Sequence, residues 1–124
     1  MTKIIRPSAW GLESGKDGSL FIAGMDTVRL AREIGTPLHV VNTGRLEETA
    51  VKFRRTAESA YPGNVSVHYA MKCNSVSAVV RTIRKSGCSV EVMTPYELEL
   101  ALQIGYMSGE IIVNGPCKTD DFLR

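Results

Sequence analysis

One lysine stands where a lysine can react. In Val65-Ser66-Val67-His68-Tyr69-Ala70-Met71-Lys72, apolar and other residues alternate as in a half-buried strand. Val65, Val67, Tyr69 and Met71 would share the face that packs on helices, and Ser66, His68, Ala70 and Lys72 the opposite one. Lys72 closes the run, at the C-terminal end of the strand. In parallel α/β proteins this is the edge at which ligands bind. A lysine there could meet a ligand; a merely solvated lysine is the plainer reading. Ala70, two residues earlier, leaves room for a flat molecule. A second run, Ser89-Val90-Glu91-Val92-Met93, sets a carboxylate between two valines. If Val90 and Val92 face helices, Glu91 points the other way, into an interior or cleft. Buried carboxylates are rare unless paired or functional, although an edge position facing water would also explain Glu91. Glu97 has a local explanation, because Thr94-Pro95-Tyr96-Glu97 reads as a capping box with proline at the first helical position. Asn114-Gly115-Pro116-Cys117-Lys118 reads first as turn chemistry and second as a binding loop. His39 and His68 lack an acidic or thiol partner at motif spacing and read as structural.

The elements that must position these residues follow from periodicity. The first stretch is irregular, broken by Gly11, Gly15 and Gly18, with a short strand over 20–23. Asp26 opens a short helical pattern that Gly35 terminates, and Pro37 cannot continue it. Leu38 to Val41 is an apolar, β-branched run that reads as a buried strand. Thr43 would cap the next helix, where Leu46, Ala50, Phe53 and Ala57 recur on one face. After the Pro62-Gly63 turn come a strand over 65–71 and a helix capped by Asn74 or Ser75 that carries Val79, Val80 and Ile83 up to Gly87. A strand over 89–93 and a helix over 95–104 ending at Gly105 follow. A strand over 110–113 and a new helix from Lys118 complete the chain. Strands alternating with helices across short connections imply parallel neighbours, and hence an α/β fold. An open doubly wound sheet and part of a (β/α)₈ barrel both satisfy this pattern.

Composition narrows the function classes. The 124 residues carry 15 Lys and Arg against 13 Asp and Glu, a net charge of +2. So small and scattered an excess gives no footprint for nucleic acid or an anionic membrane; Lys52, Arg54 and Arg55 read as a solvated helix face. Three cysteines without CxxC or Cys/His spacing point to reduced thiols rather than a disulfide framework or a zinc site. The N-terminus lacks the apolar core of a signal peptide, and no stretch approaches the ~18 apolar residues of a membrane span. A cytoplasmic protein is expected.

Tyr69-Ala70-Met71-Lys72-Cys73-Asn74 resembles the ornithine/diaminopimelate/arginine decarboxylases, which are barrel-type enzymes dependent on pyridoxal 5'-phosphate. The likeness continues in register. Gly35-Thr36-Pro37-Leu38 resembles the family's entry into the barrel. Gly87-Cys88-Ser89-Val90-Glu91-Val92 with Glu97-Leu98 resembles its G-x-G-F-D-V-x-S-x-x-E-L segment, and Gly115-Pro116-Cys117-Lys118-Thr119 its G-P-x-K loop. The resemblance implies the N-terminal part of a (β/α)₈ barrel over 26–124, preceded at 1–25 by a segment of a second β-domain. It implies that Lys72 carries the cofactor and acts in catalysis, with Ala70 and Glu91 beside the cofactor. It also implies a small amino acid of basic or diamino type as substrate, and a homodimer for the full-length enzyme.

This chain departs from the family pattern in having Glu91 where aspartate is usual, and Met93-Thr94-Pro95-Tyr96 where small residues are usual. The Gly-rich phosphate loop, the acid that pairs with the pyridine nitrogen, and a catalytic Cys and Tyr would all lie beyond Arg124. The chain is therefore expected to be an N-terminal fragment that does not decarboxylate by itself. An alanine-racemase-like protein fits less well, since Cys73-Asn74-Ser75-Val76-Ser77 replaces the Ala-Asn-Ala-Tyr-Gly usual there. A non-catalytic homologue that regulates or binds a partner, and a plain α/β binding module, are the other readings.

Overall fold

A computed structural model describes residues 6–116 and 118–123. The chain divides into two compact units, Met1–Arg45 and Leu46–Arg124. The expected boundary at residue 25 falls inside the first.

In the first unit the glycine-broken stretch is more regular than its sequence suggests. β1 (Leu12–Ser14), β2 (Leu20–Ile22) and β3 (Met25–Asp26) form an antiparallel meander, with Glu13 opposite Phe21 and Phe21 opposite Asp26. The Asp17 carboxylate accepts from the Ser19 backbone N–H at 3.1 Å and its hydroxyl at 2.5 Å, which closes the β1–β2 turn. Asp26 then caps α1 (Thr27–Ile34), its Oδ1 accepting from the Val28 and Arg29 N–H groups at 2.8 and 2.9 Å. Gly35 ends the helix at φ +97°. The run over 38–41 forms no strand, contrary to expectation, and Val40 and Val41 are exposed. β-branched apolar residues favour extended backbone, but a strand also needs a ladder partner for its N–H and C=O groups. Asn42 rather than Thr43 caps the next helix, with Oδ1 accepting from the Arg45 N–H at 3.0 Å.

The second unit holds most of α2 (Thr43–Ala60) and a parallel sheet of β4 (His68–Ala70), β5 (Ser89–Val92) and β6 (Ile111–Val113), in that order. α3 (Ser77–Lys85) and α4 (Pro95–Ile104) connect the strands, and α5 (Asp120–Leu123) follows β6. β4 is shorter than the expected 65–71. Its ladder starts where Ser89 N–H donates to the Val67 carbonyl, because the partner chain one step earlier is turning off α3 at Gly87, φ +76°. At the other end Met71–Cys73 coils into a 3₁₀ turn. Neither Asn74 nor Ser75 caps α3. Asn74 Oδ1 accepts from the Val76 N–H, and Val76 stands at the N-cap with no side-chain bond.

The core is the helix-facing side of this sheet. Met71, Val80, Val90 and Val92 are fully buried, joined by Ala101, Ile104 and Tyr106 and flanked by Tyr69, Ile111 and Val113. Each buried aliphatic side chain stabilises by roughly 1.5–3 kcal/mol. α4 has the bounds its sequence implies. Thr94 Oγ1 accepts from the Glu97 N–H at 3.2 Å, Pro95 begins the helix, and Gly105 turns left-handed at φ +100°. Tyr106 and Gly105 N–H groups then donate to the Ala101 and Leu102 carbonyls, a Schellman closure. Among the described residues no helix is long and apolar enough to cross a membrane.

Candidate functional site

Register fixes what the open face of the sheet presents. Tyr69, Val90 and Ile111 lie side by side, and so do Ala70, Glu91 and Ile112. Registered residues of parallel strands share a face. The first row packs into the core, so Ala70, Glu91 and Ile112 form a row on the side away from α3 and α4. The alternation expected for these strands holds in both directions.

Lys72 is not the last residue of β4. It sits in the 3₁₀ turn Met71–Cys73, one step past the strand, at the C-terminal edge of the sheet. Met71 is fully buried and anchors the turn from below, while Lys72 and Cys73 are exposed. Among the described residues Lys72 makes no ion pair or hydrogen bond. Its amine is thus available at this edge.

Glu91 is half-buried and held from the next strand: Asn114 Nδ2 donates to Glu91 Oε1 at 3.1 Å. Asn114 N–H donates to the Val92 carbonyl at 2.9 Å, which extends the ladder past β6 and aligns the amide with Glu91. Sequence reading placed Asn114 in a turn and missed this link. The signal lay in register, since Asn114 shares the parity of Ile112 and so of Glu91. Gly115 follows at φ +103°, a conformation that strains any other residue, and a Cβ there would lie 2.9 Å from Met93 Cε, so the methionine tip would have to shift. Glu97 only half matches the expected capping box. Its N–H bonds to Thr94, but its carboxylate reaches one residue further, accepting from the Met93 N–H at 2.7 Å. This buried carboxylate fixes the exit of β5 next to Gly115.

His68 and Tyr106 are tied to backbone. His68 Nδ1 lies 3.3 Å from the Val90 carbonyl, a cross-strand contact that agrees with its structural reading. Tyr106 is buried, its hydroxyl donating to the Cys88 and Val80 carbonyls at 3.3 and 3.5 Å, and burial pushes its phenol far above the usual range. The Arg84 guanidinium carbon sits 5.6 Å from the Tyr106 ring centroid. Burial likewise raises the Cys88 thiol and the Tyr69 phenol. Cys73 and Cys88 are free thiols. Cys117 lies outside the described residues.

Comparison with known proteins bears on this geometry. Residues 46–124 match the family model of the pyridoxal-dependent decarboxylase, pyridoxal binding domain. The diaminopimelate decarboxylase of Methanothermobacter thermautotrophicus is 34% identical over 113 residues, covering 91% of this chain and 26% of that protein. That of Mycobacterium bovis is 32% identical over 117 residues, covering 93% and 25%. Among solved structures, the diaminopimelate decarboxylase of M. jannaschii superposes with a TM-score of 0.79 at 32% identity, over 91% of this chain and 26% of that one. The same enzyme in complex with L-lysine gives 0.78, with 90% and 26% covered. The likeness identifies the α/β architecture as the N-terminal part of that barrel fold. The chain spans about a quarter of the length of the relatives it matches.

Proposed function

Since this chain belongs to the pyridoxal-dependent decarboxylases, through their pyridoxal-binding domain, we propose that Lys72 is the amine that holds pyridoxal 5'-phosphate in a decarboxylase of a basic or diamino amino acid. The diaminopimelate type is favoured by the relatives' names, and the relative solved with L-lysine supports a diamino substrate. One observation carries the reading. Within the matched stretch, a primary amine with no ion-pair partner among the described residues stands at the C-terminal edge of a parallel sheet, beside a row that offers a small residue and an oriented carboxylate.

The residues present suit the cofactor. Its aldehyde needs a primary amine, and Lys72 supplies one free of any competing carboxylate among the described residues. Its flat ring needs a shallow wall, and Ala70 adds only a methyl group to the row. Its polar substituents need fixed partners, and Glu91 is aimed by Asn114. When bound, the cofactor supplies a sink for the electron pair left as the carboxylate departs as CO₂. The work left to this chain is to present the Lys72 Nζ as the nucleophile, to carry a proton on Nζ for return to the substrate carbon, and to keep Glu91 in one orientation. Ala70 and Glu91 act in cofactor binding, and Lys72 in binding and catalysis.

The whole protein is proposed to work in the cytoplasm as a homodimer. The chain by itself holds the cofactor without turning over substrate. Mixing it with pyridoxal phosphate should produce an absorbance band at the visible edge that Lys72→Ala abolishes. Equal bands in both proteins would overturn the role of Lys72, and CO₂ release by the chain alone would overturn the division of labour.

A further inference from the structure

The turn that carries Lys72 is bridged by a side chain that belongs to the strand before it. Tyr69 is three residues ahead of Lys72 on β4, half-buried against the core, and its hydroxyl donates to the Asn74 carbonyl at 3.1 Å. The bond spans Ala70, Met71, Lys72 and Cys73, the strand exit and the whole 3₁₀ turn. Three further attachments fix the ends of this bridge. The β4 ladder holds Tyr69 and Ala70 to Val90 and Glu91. Met71 is sunk in the core. Asn74 Oδ1 accepts from the Val76 N–H at 3.1 Å and leads the chain into α3. Between these fixed points the only groups projecting outward are Lys72 and Cys73.

We propose that Tyr69 is a positioning residue for Lys72: its hydroxyl, tied to the Asn74 carbonyl, locks the turn that presents the Lys72 amine at the sheet edge. The inference rests on Lys72 being the cofactor-bearing amine. A lysine side chain has many rotamers to lose when it is captured; a loose backbone beneath it would add further freedom to that loss. Preorganising the backbone removes this part of the cost before the cofactor arrives. Burial also raises the Tyr69 phenol, so its proton stays in place to donate over the neutral range.

Tyr69→Phe keeps the ring in the core and deletes only the hydroxyl. Tyr106→Phe is the control, since it removes another buried hydroxyl from the same unit, one bonded to the Cys88 and Val80 carbonyls rather than to the Lys72 turn. Two readouts are needed: amide hydrogen exchange of residues 73–76 without cofactor, and titration with pyridoxal phosphate followed at the visible edge. Tyr69→Phe should speed exchange in that segment and weaken cofactor uptake, each by about five-fold, the ratio expected for one lost neutral hydrogen bond. Tyr106→Phe should leave cofactor uptake unchanged and should not single out residues 73–76 in exchange. If Tyr69→Phe matches the wild type in either readout, or Tyr106→Phe weakens uptake equally, the inference is overturned. If wild-type uptake itself does not depend on Lys72, the proposed function falls first and this inference with it. That result is separate from one in which the wild type takes up cofactor and Tyr69→Phe does so equally well.

Discussion

At the scale of single residues, Lys72 and Glu91 differ in how their neighbours hold them. Lys72 depends on backbone: among the described residues its side chain makes no ion pair, and the 3₁₀ turn sets its position. Lys72→Arg should therefore lose cofactor uptake as completely as Lys72→Ala, because a guanidinium keeps the charge and lacks the nucleophilic amine. Glu91 depends on a side chain. Asn114→Ala removes the donor that orients it and should weaken cofactor uptake by a few-fold, while the thermal midpoint moves little because Asn114 is exposed. A large fall in midpoint with unchanged uptake would assign Asn114 to folding instead.

Elements explain why parts of the fold could be read from the sequence and others could not. α4 was legible end to end, because Thr94, Pro95 and Gly105 act within a few residues of the helix they delimit. The two faces of β4 and β5 were legible for the same local reason, the alternation of side chains. The limits of β4 were not, since they depend on where Gly87 turns the neighbouring chain into register. The run over 38–41 failed for want of a ladder partner, which no local pattern reports. Glu97 looked like an ordinary capping residue, but three-dimensional placement gave its carboxylate to Met93. Glu97→Ala should thus strand a backbone N–H and cost about 1–3 kcal/mol, whereas Thr94→Ala should cost about 1 kcal/mol. Met71→Ala, beneath the Lys72 turn, should cost about 2–5 kcal/mol. Urea unfolding of the three variants checks this ranking; a Met71→Ala cost below that of Thr94→Ala would contradict it.

Across the whole molecule, buried protonated groups set the response to alkali. Tyr106, Tyr69 and Cys88 all have folded-state pKa values raised by burial above their ordinary 10.0, 10.0 and 9.0. Each binds its proton more tightly when folded, so its contribution is complete below the ordinary value and is lost as pH rises toward the folded one. Stability should hold from neutrality to about pH 9 and then fall, more steeply above about pH 10. Tyr106→Phe should lower stability by about 1 kcal/mol at neutral pH and flatten the alkaline fall; an unchanged alkaline slope would contradict the assignment. The matched family stretch starts at residue 46, where the second compact unit starts. We propose that residues 1–25 belong to a second β-domain and 26–124 to the barrel. The antiparallel ladder of the first unit was not visible behind the glycines of the first stretch.

The central claim is that Lys72 carries the cofactor, and peptide mapping after borohydride reduction tests it most directly. The chain is incubated with pyridoxal phosphate, reduced and digested, and the labelled peptide is sequenced by mass spectrometry. The account predicts that the label resides on Lys72, between Met71 and Cys73, and disappears in Lys72→Ala. Label spread over the other exposed lysines with Lys72 unmodified would contradict it.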